Sequence, residues 1–296
     1  MTDPLTSGTP LVIAAHGTRD EAGVAECRAL AERVARKLPG IPVELGFVEL
    51  AEPGIPEAVG AAVAQAPDNP EGAGGDEEAA AVVVPLMFNT GGHVREDIPE
   101  AIDEGRGDAR VMYSAPLLPD VRMRKALNHR LTETLAAGEG CEEWRPRDTS
   151  AVLVGRGALV PDANASHYTL TRMFWEENDL SRVEPAFIQV TRPSVPEALS
   201  ALAAQGANQI VVQGNFLFPG LLHVWMTEQV EAWQASHPGV EIRIAPVIGD
   251  CDEVADVVVD RYREPLDEVG LGEGAPVYMS GLRLSLIHIS EPTRRY

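Results

Sequence analysis

The chain has 296 residues, 45% of them hydrophobic, and a formal net charge of −21 from 24 basic and 45 acidic residues. That length suits two domains of ordinary size. The charge argues against nucleic acid or an anionic membrane as the main partner, and no apolar run approaches the ~20 residues that a membrane helix needs.

Cys27, Cys141 and Cys251 are far apart and odd in number, which points to a reduced, cytoplasmic compartment rather than a disulfide framework. The opening MTDPLTSGTPLVIAAHG has neither the basic start nor the long apolar stretch of a signal peptide.

In chain order, LVIAA (11–15) is a fully apolar run that suits a buried parallel strand. HGTRDEAG turns the chain into a helix from about Val24 to Leu38, ended by Pro39-Gly40. VELGFVEL (43–50) predicts a second strand, then a turn at Pro53 and a helix carrying Pro56-Glu57-Ala58. AAVVVPLMF (80–88) predicts a third strand, which runs into the NTGGH loop and a helix from about Ile98. ARVMYSAPLL (109–118) is the fourth, followed by a helix from about Val121 to Leu135. AAGEGCEEWRPRDTS (136–150), rich in Gly, charge and Pro, reads as a hinge. The order then returns with AVLVG (151–155), EPAFIQV (184–190), NQIVVQGNFLF (208–218) and EIRIAPVIG (241–249).

The two passes match residue by residue. PGIPEA (53–58) pairs with PSVPEA (193–198) at an offset of 140, which also relates His16 to Arg156 and Glu49 to Gln189. After the acidic loop at 66–79 the offset falls to 130, pairing Phe88 with Phe218, His93 with His223, and APLLPD (115–120) with APVIGD (245–250). The chain therefore divides into an N-terminal repeat (1–137), a linker (138–149), a degenerate C-terminal repeat (150–270) and a tail (271–296). Alternating strands and helices predict an α/β fold of two similar lobes, each a four-stranded parallel sheet flanked by helices. Right-handed crossovers then line up the strand C-termini along one edge, where ligands bind in such sheets.

His16, Glu49 and His93 each stand at or just past the end of one of three successive strands, so they converge on one crevice. Two imidazoles and a carboxylate suit Fe2+, Co2+, Ni2+ or Zn2+. Three protein ligands leave coordination positions open, so an ion can be handed on as well as held. Gly91-Gly92 before His93 permits a ligand to approach closely. The rival reading of these histidines is as satisfied polar or surface residues, and in the second repeat Arg156 and Gln189 have replaced two of the three.

LVIAAHGTRD, GFVEL, the Pro53 and Pro56-Glu57-Ala58 turn and VVVPLMFNTGGHVREDIP together resemble the class II tetrapyrrole chelatases, the sirohydrochlorin cobalto- and ferrochelatases in their long two-repeat form. The resemblance spans roughly residues 10–265. It implies insertion of Fe2+ or Co2+ into sirohydrochlorin, in siroheme or cobalamin biosynthesis, with no tightly bound cofactor and the metal as substrate. It also implies that His16, Glu49 and His93 hold the metal and carry out insertion. Sirohydrochlorin is rich in carboxylates, so cations should ring the crevice: Arg19, Arg95 and Arg156 are candidates against the alternative of surface ion pairs, and His223 is either a substrate contact or a packing residue.

Two other functions compete. Histidine phosphatases place Arg-His-Gly after the first strand, whereas here Ala15 precedes His16 and Arg19 follows it. A non-catalytic metal or tetrapyrrole carrier would share the fold. His129, His167 and His237 read as surface residues, and Trp175, Trp225 and Trp233 as helix-face packing. The duplicated chain can form within one molecule a two-lobed cleft, which favours a monomer. LSLIHISEPTRRY (284–296) turns basic after an acidic chain and reads as translated adapter sequence, with a genuine short tail as the alternative.

Overall fold

The computed structural model describes residues 8–66, 79–88, 92–118, 120–136 and 143–269. The acidic loop at 67–78, residues 89–91 with Gly91, the middle of the hinge and the tail from 270 lie outside the described residues. The first repeat comprises β1 (Leu11–Ala15), α1 (Glu21–Lys37), β2 (Val43–Phe47), α2 (Ile55–Ala64), β3 (Ala81–Pro85), α3 (Ile98–Arg106), β4 (Val111–Tyr113) and α4 (Val121–Ala136). The second comprises β5 (Ser150–Gly155), α5 (Pro161–Asn178), β6 (Arg182–Phe187), α6 (Val195–Ala204), β7 (Gln209–Gly214), α7 (Leu221–Ala235), β8 (Glu241–Ile244) and α8 (Asp252–Val269).

These strands form two all-parallel sheets, ordered β2-β1-β3-β4 and β6-β5-β7-β8. The central strands β1 and β5 are buried throughout, as expected for sheets covered on both faces. The strand order reverses between β1 and β3, and a crevice opens at such a switch point beyond the strand C-termini.

Strand β2 is shorter than the pattern VELGFVEL predicts, for a reason that matters to the site. Val48 N and Glu49 N still donate to Ala15 O and His16 O, but Leu50 takes φ 65° and Phe47 N donates back to Pro53 O. The chain therefore leaves the sheet at Phe47 and folds its next residues over the end of β1. The second repeat reproduces this turn: Ile188 N and Gln189 N donate to Gly155 O and Arg156 O, Val190 takes φ 71°, and Phe187 N donates to Pro193 O.

Sheet register refines the sequence alignment of the repeats. Leu11 pairs with Val82 and Ala151 with Val211, so β7 runs 129 residues behind β3 rather than 130. By that offset His93 answers to Leu222, one residue before His223. His223 stands in the third position of α7, after the cap residue Gly220.

The core has three parts. The α2/α3 face of the first sheet (Val12, Ile55, Val83, Ile98) and the α6/α7 face of the second (Val152, Leu199, Val212, Met226) are separate clusters. The third is shared: Leu11, Ile13 and Leu30 join Leu153, Val211, Val254 and Tyr262 in one continuous cluster. The last helix of each repeat crosses over, so that α4 packs on α5 and β7 while α8 packs on α1, α4 and β3.

Polar contacts lock the exchange. Tyr262 donates its hydroxyl to Thr9 O at 2.7 Å, Arg33 pairs with Asp250 at 2.6 Å, and Arg122 bridges Asp120 and Asp260. The described end of the predicted hinge is likewise fastened, since Trp144 is buried and Arg243 stacks over its ring at 4.0 Å. His167 is also inside rather than on the surface: its Nε2 lies 3.1 Å from Leu153 O and its ring packs on Phe187. Burial holds its pKa below the ordinary imidazole value. Trp175, Trp225 and Trp233 pack on the core clusters as the helix patterns predict.

Candidate metal centre

The ends of β1, β2 and β3 bring His16, Glu49 and His93 together at the switch point of the first sheet. One potential ligand atom from each lies within 4.8 Å of the other two. His16 Nε2 is 3.9 Å from Glu49 Oε1. The two imidazoles meet edge to face, with centroids 4.6 Å apart and planes at 87°. Bonds of ~2.1 Å at tetrahedral angles would place ligand atoms roughly 3.4 Å apart, so the trio is slightly wide for an ion. All three side chains are partly solvent-exposed, and small side-chain rotations suffice to close on one.

The remaining ring nitrogens are already committed. His16 Nδ1 donates to Gly17 O at 3.1 Å, and His93 Nδ1 is tightly hydrogen-bonded to the carboxylate of Asp97. With both protons on Nδ1, each Nε2 keeps its lone pair for a metal, and the ring orientation is set by the outer partner. In the sequence Asp97 stands out only as part of the HVREDIP motif. Its signal was the four-residue spacing in HVRED, which a helical turn converts into contact. That turn is a π-turn, His93–Asp97, closed by Ile98 N donating to His93 O. Tyr113 buttresses it, donating its hydroxyl to Val94 O at 2.9 Å.

Gly17 is the hidden requirement of the His-Gly dipeptide. It takes φ 91°, and a Cβ there would stand 1.8 Å from Glu49 O. Only glycine lets the loop bearing His16 cross the loop bearing Glu49 this closely. Gly157 repeats the arrangement, with φ 90° and a Cβ position 2.0 Å from Gln189 O. The second lobe has therefore kept this backbone frame, with Arg156 and Gln189 standing where the first lobe has His16 and Glu49.

Arg19, Arg95 and Arg156 are exposed, and among the described residues none enters an ion pair or a side-chain hydrogen bond. His223 is not one of the trio; it is half-buried, with Nδ1 enclosed and unpartnered among the described residues. Desolvation holds its pKa below the usual imidazole value, against the opposing pull of Asp20. Among the described residues nothing stands within 4 Å of a Cβ placed on Gly92. No helix of the described residues is long and apolar enough to cross a membrane.

A family model described as CbiX matches the chain twice, over residues 10–134 and 150–265. Among curated relatives, a sirohydrochlorin cobaltochelatase from Priestia megaterium is 29% identical over 252 residues, covering 84% of this chain and 78% of the relative. A sirohydrochlorin ferrochelatase from Bacillus subtilis (strain 168) is 27% identical over 253 residues, covering 84% and 88% respectively. Among solved structures, SirB from Bacillus subtilis with Fe3+ superposes with a TM-score of 0.69 at 25% identity, covering 86% of this chain and 94% of SirB.

Proposed function

Since the chain belongs to the CbiX family, with a match to each of its two repeats, we propose that it is a sirohydrochlorin chelatase, inserting Fe2+ or Co2+ into the macrocycle. The observation that carries this reading is the trio itself: two imidazole Nε2 atoms and a carboxylate, free for one ion, at the open edge of a sheet. His16, Glu49 and His93 hold the incoming metal, which is a substrate and not a resident cofactor. Three protein ligands on exposed side chains leave positions for the pyrrole nitrogens to enter as the ion departs. Arg19, Arg95 and Arg156, cations without an ion-pair partner among the described residues, take the peripheral carboxylates of the ring. The first lobe then presents the metal, while Arg156 in the second helps seat the anionic substrate.

The phosphohistidine alternative requires cations around His16 to hold a phosphoryl group. The groups gathered at its ligand nitrogen are instead a carboxylate and a second imidazole. A carrier would bind metal and ring but not turn over. The reading further places the protein in the cytoplasm as a monomer: Cys27 and Cys251 are free buried thiols, suited to a reducing compartment, and the shared core joins both lobes within one chain.

Anaerobic incubation with sirohydrochlorin and each metal in turn, followed by absorption spectroscopy, tests the function. Repeated turnover by the unsubstituted chain is expected with at least one of Fe2+ and Co2+. His16→Ala should abolish insertion while the macrocycle still binds. Full turnover by His16→Ala would remove the trio from the mechanism, and stoichiometric binding alone would favour a carrier.

A further inference from the structure

Helix α7 of the second lobe begins against the metal-bearing lobe. A Cβ on Gly23, in the first turn of α1, would lie 2.5 Å from Pro219 O, and one on Gly220 would lie 3.7 Å from Thr18 Oγ1. The Pro219-Gly220 turn is therefore pressed onto the segment leading from His16 into α1, an approach that glycine at 23 permits. His223, in the first turn of α7, is carried to this seam, where Asp20 is the charged group acting on it. Among the described residues neither ring nitrogen has a hydrogen-bond partner, although Nδ1 is enclosed.

Burial holds this imidazole neutral at neutral pH, so it keeps a lone pair but offers no positive charge. A neutral ring is a poor seat for a carboxylate, a task Arg156 performs better, but it is a competent proton acceptor. The other two imidazoles face a conflict of roles. Their Nδ1 protons are held by Gly17 and Asp97, and their Nε2 lone pairs are occupied by the metal when the first pyrrole proton has to leave.

We propose that His223 accepts a pyrrole N–H proton during metal insertion, an assignment that rests on the chelatase reading. Insertion breaks two N–H bonds as the nitrogen lone pairs form bonds to the ion. One proton passes to His223, giving an imidazolium beside Asp20, and the second leaves to the water that reaches the open crevice. His223 is thus the second lobe's contribution to the chemistry.

The test compares the unsubstituted chain with His223→Ala and His223→Gln in anaerobic insertion of Co2+ into sirohydrochlorin. Loss of a positioned base should lower kcat about 10²-fold in both variants. KM for the macrocycle and the affinity for Co2+ should stay within about two-fold, in keeping with a role confined to proton transfer. Added imidazole should restore part of the lost rate in the alanine variant, which a purely structural role would not allow. Should His223→Ala misfold, the glutamine variant, similar in reach but unable to take the proton, carries the same comparison. Unchanged kcat, a defect confined to KM, or no rescue by imidazole would overturn the assignment while leaving the chelatase reading intact. Absence of insertion by the unsubstituted chain would overturn both.

Discussion

Asp97 grips the Nδ1 of His93 across a single π-turn, so the residue that orients the imidazole of this proposed ligand is encoded four positions after it. A carboxylate behind a ligating histidine fixes its tautomer and raises its basicity, and removing such a partner costs roughly 10- to 100-fold in metal affinity. Asp97→Ala should therefore weaken Co2+ binding by about that factor. KM for sirohydrochlorin should be nearly unchanged. Spectroscopic titration with Co2+ and steady-state kinetics measure the two effects, and equal Co2+ affinity would deny Asp97 this role.

The two frame glycines offer an internal control. Gly17→Ala and Gly157→Ala each force a side chain at positive φ against the carbonyl of a neighbouring loop. Both should destabilise the fold by at least about 1–3 kcal/mol, the scale of such backbone strain. Only Gly17→Ala should also lose Co2+ binding, because only the first lobe carries the proposed ligands. Denaturant melts paired with Co2+ titration separate the cases.

Reversing the charge at Arg156 tests the division of labour between the lobes. A charge-assisted hydrogen bond contributes about 1.5–3 kcal/mol, so Arg156→Glu should raise KM for the macrocycle by about 10-fold or more. Co2+ affinity should hold, since Arg156 stands in the second lobe and outside the ligand trio. A change in metal affinity with KM intact would assign it the opposite role.

Buried His167 sets a pH dependence. Its pKa is lower in the folded state, chiefly by desolvation, so below the ordinary imidazole value the unfolded chain binds more protons than the native one. Its contribution is present above about pH 6.5 and is lost as pH falls through the folded pKa. His167→Gln, whose amide can still donate to Leu153 O, should flatten the decline of stability with falling pH without removing it, because His223 is shifted in the same direction. Urea midpoints measured from neutral pH down to about pH 5, below the ordinary imidazole pKa, would reveal the change in slope.

Much of this molecule is legible in one dimension. Runs such as LVIAA and AVLVG are buried on both faces because parallel central strands leave no face for water, and the repeated PxxPEA turn marks the same loop in both halves. His16, Glu49 and His93 could be grouped from sequence because every strand in a right-handed parallel sheet delivers its C-terminal residue to one edge. Position along the chain thus implied position in space.

The tertiary structure alone decided contacts that depend on side-chain direction and on packing between distant segments. Strand register separates His223 from the position of His93 by one residue, although the motifs align them, because a slip of one residue turns a helical side chain toward another neighbour. The crossing of α4 and α8, the burial of His167 and the seam that brings His223 to the first lobe follow from a hydrophobic core shared by both repeats. Pattern within a segment reveals that it has an apolar face, but not which partner covers it.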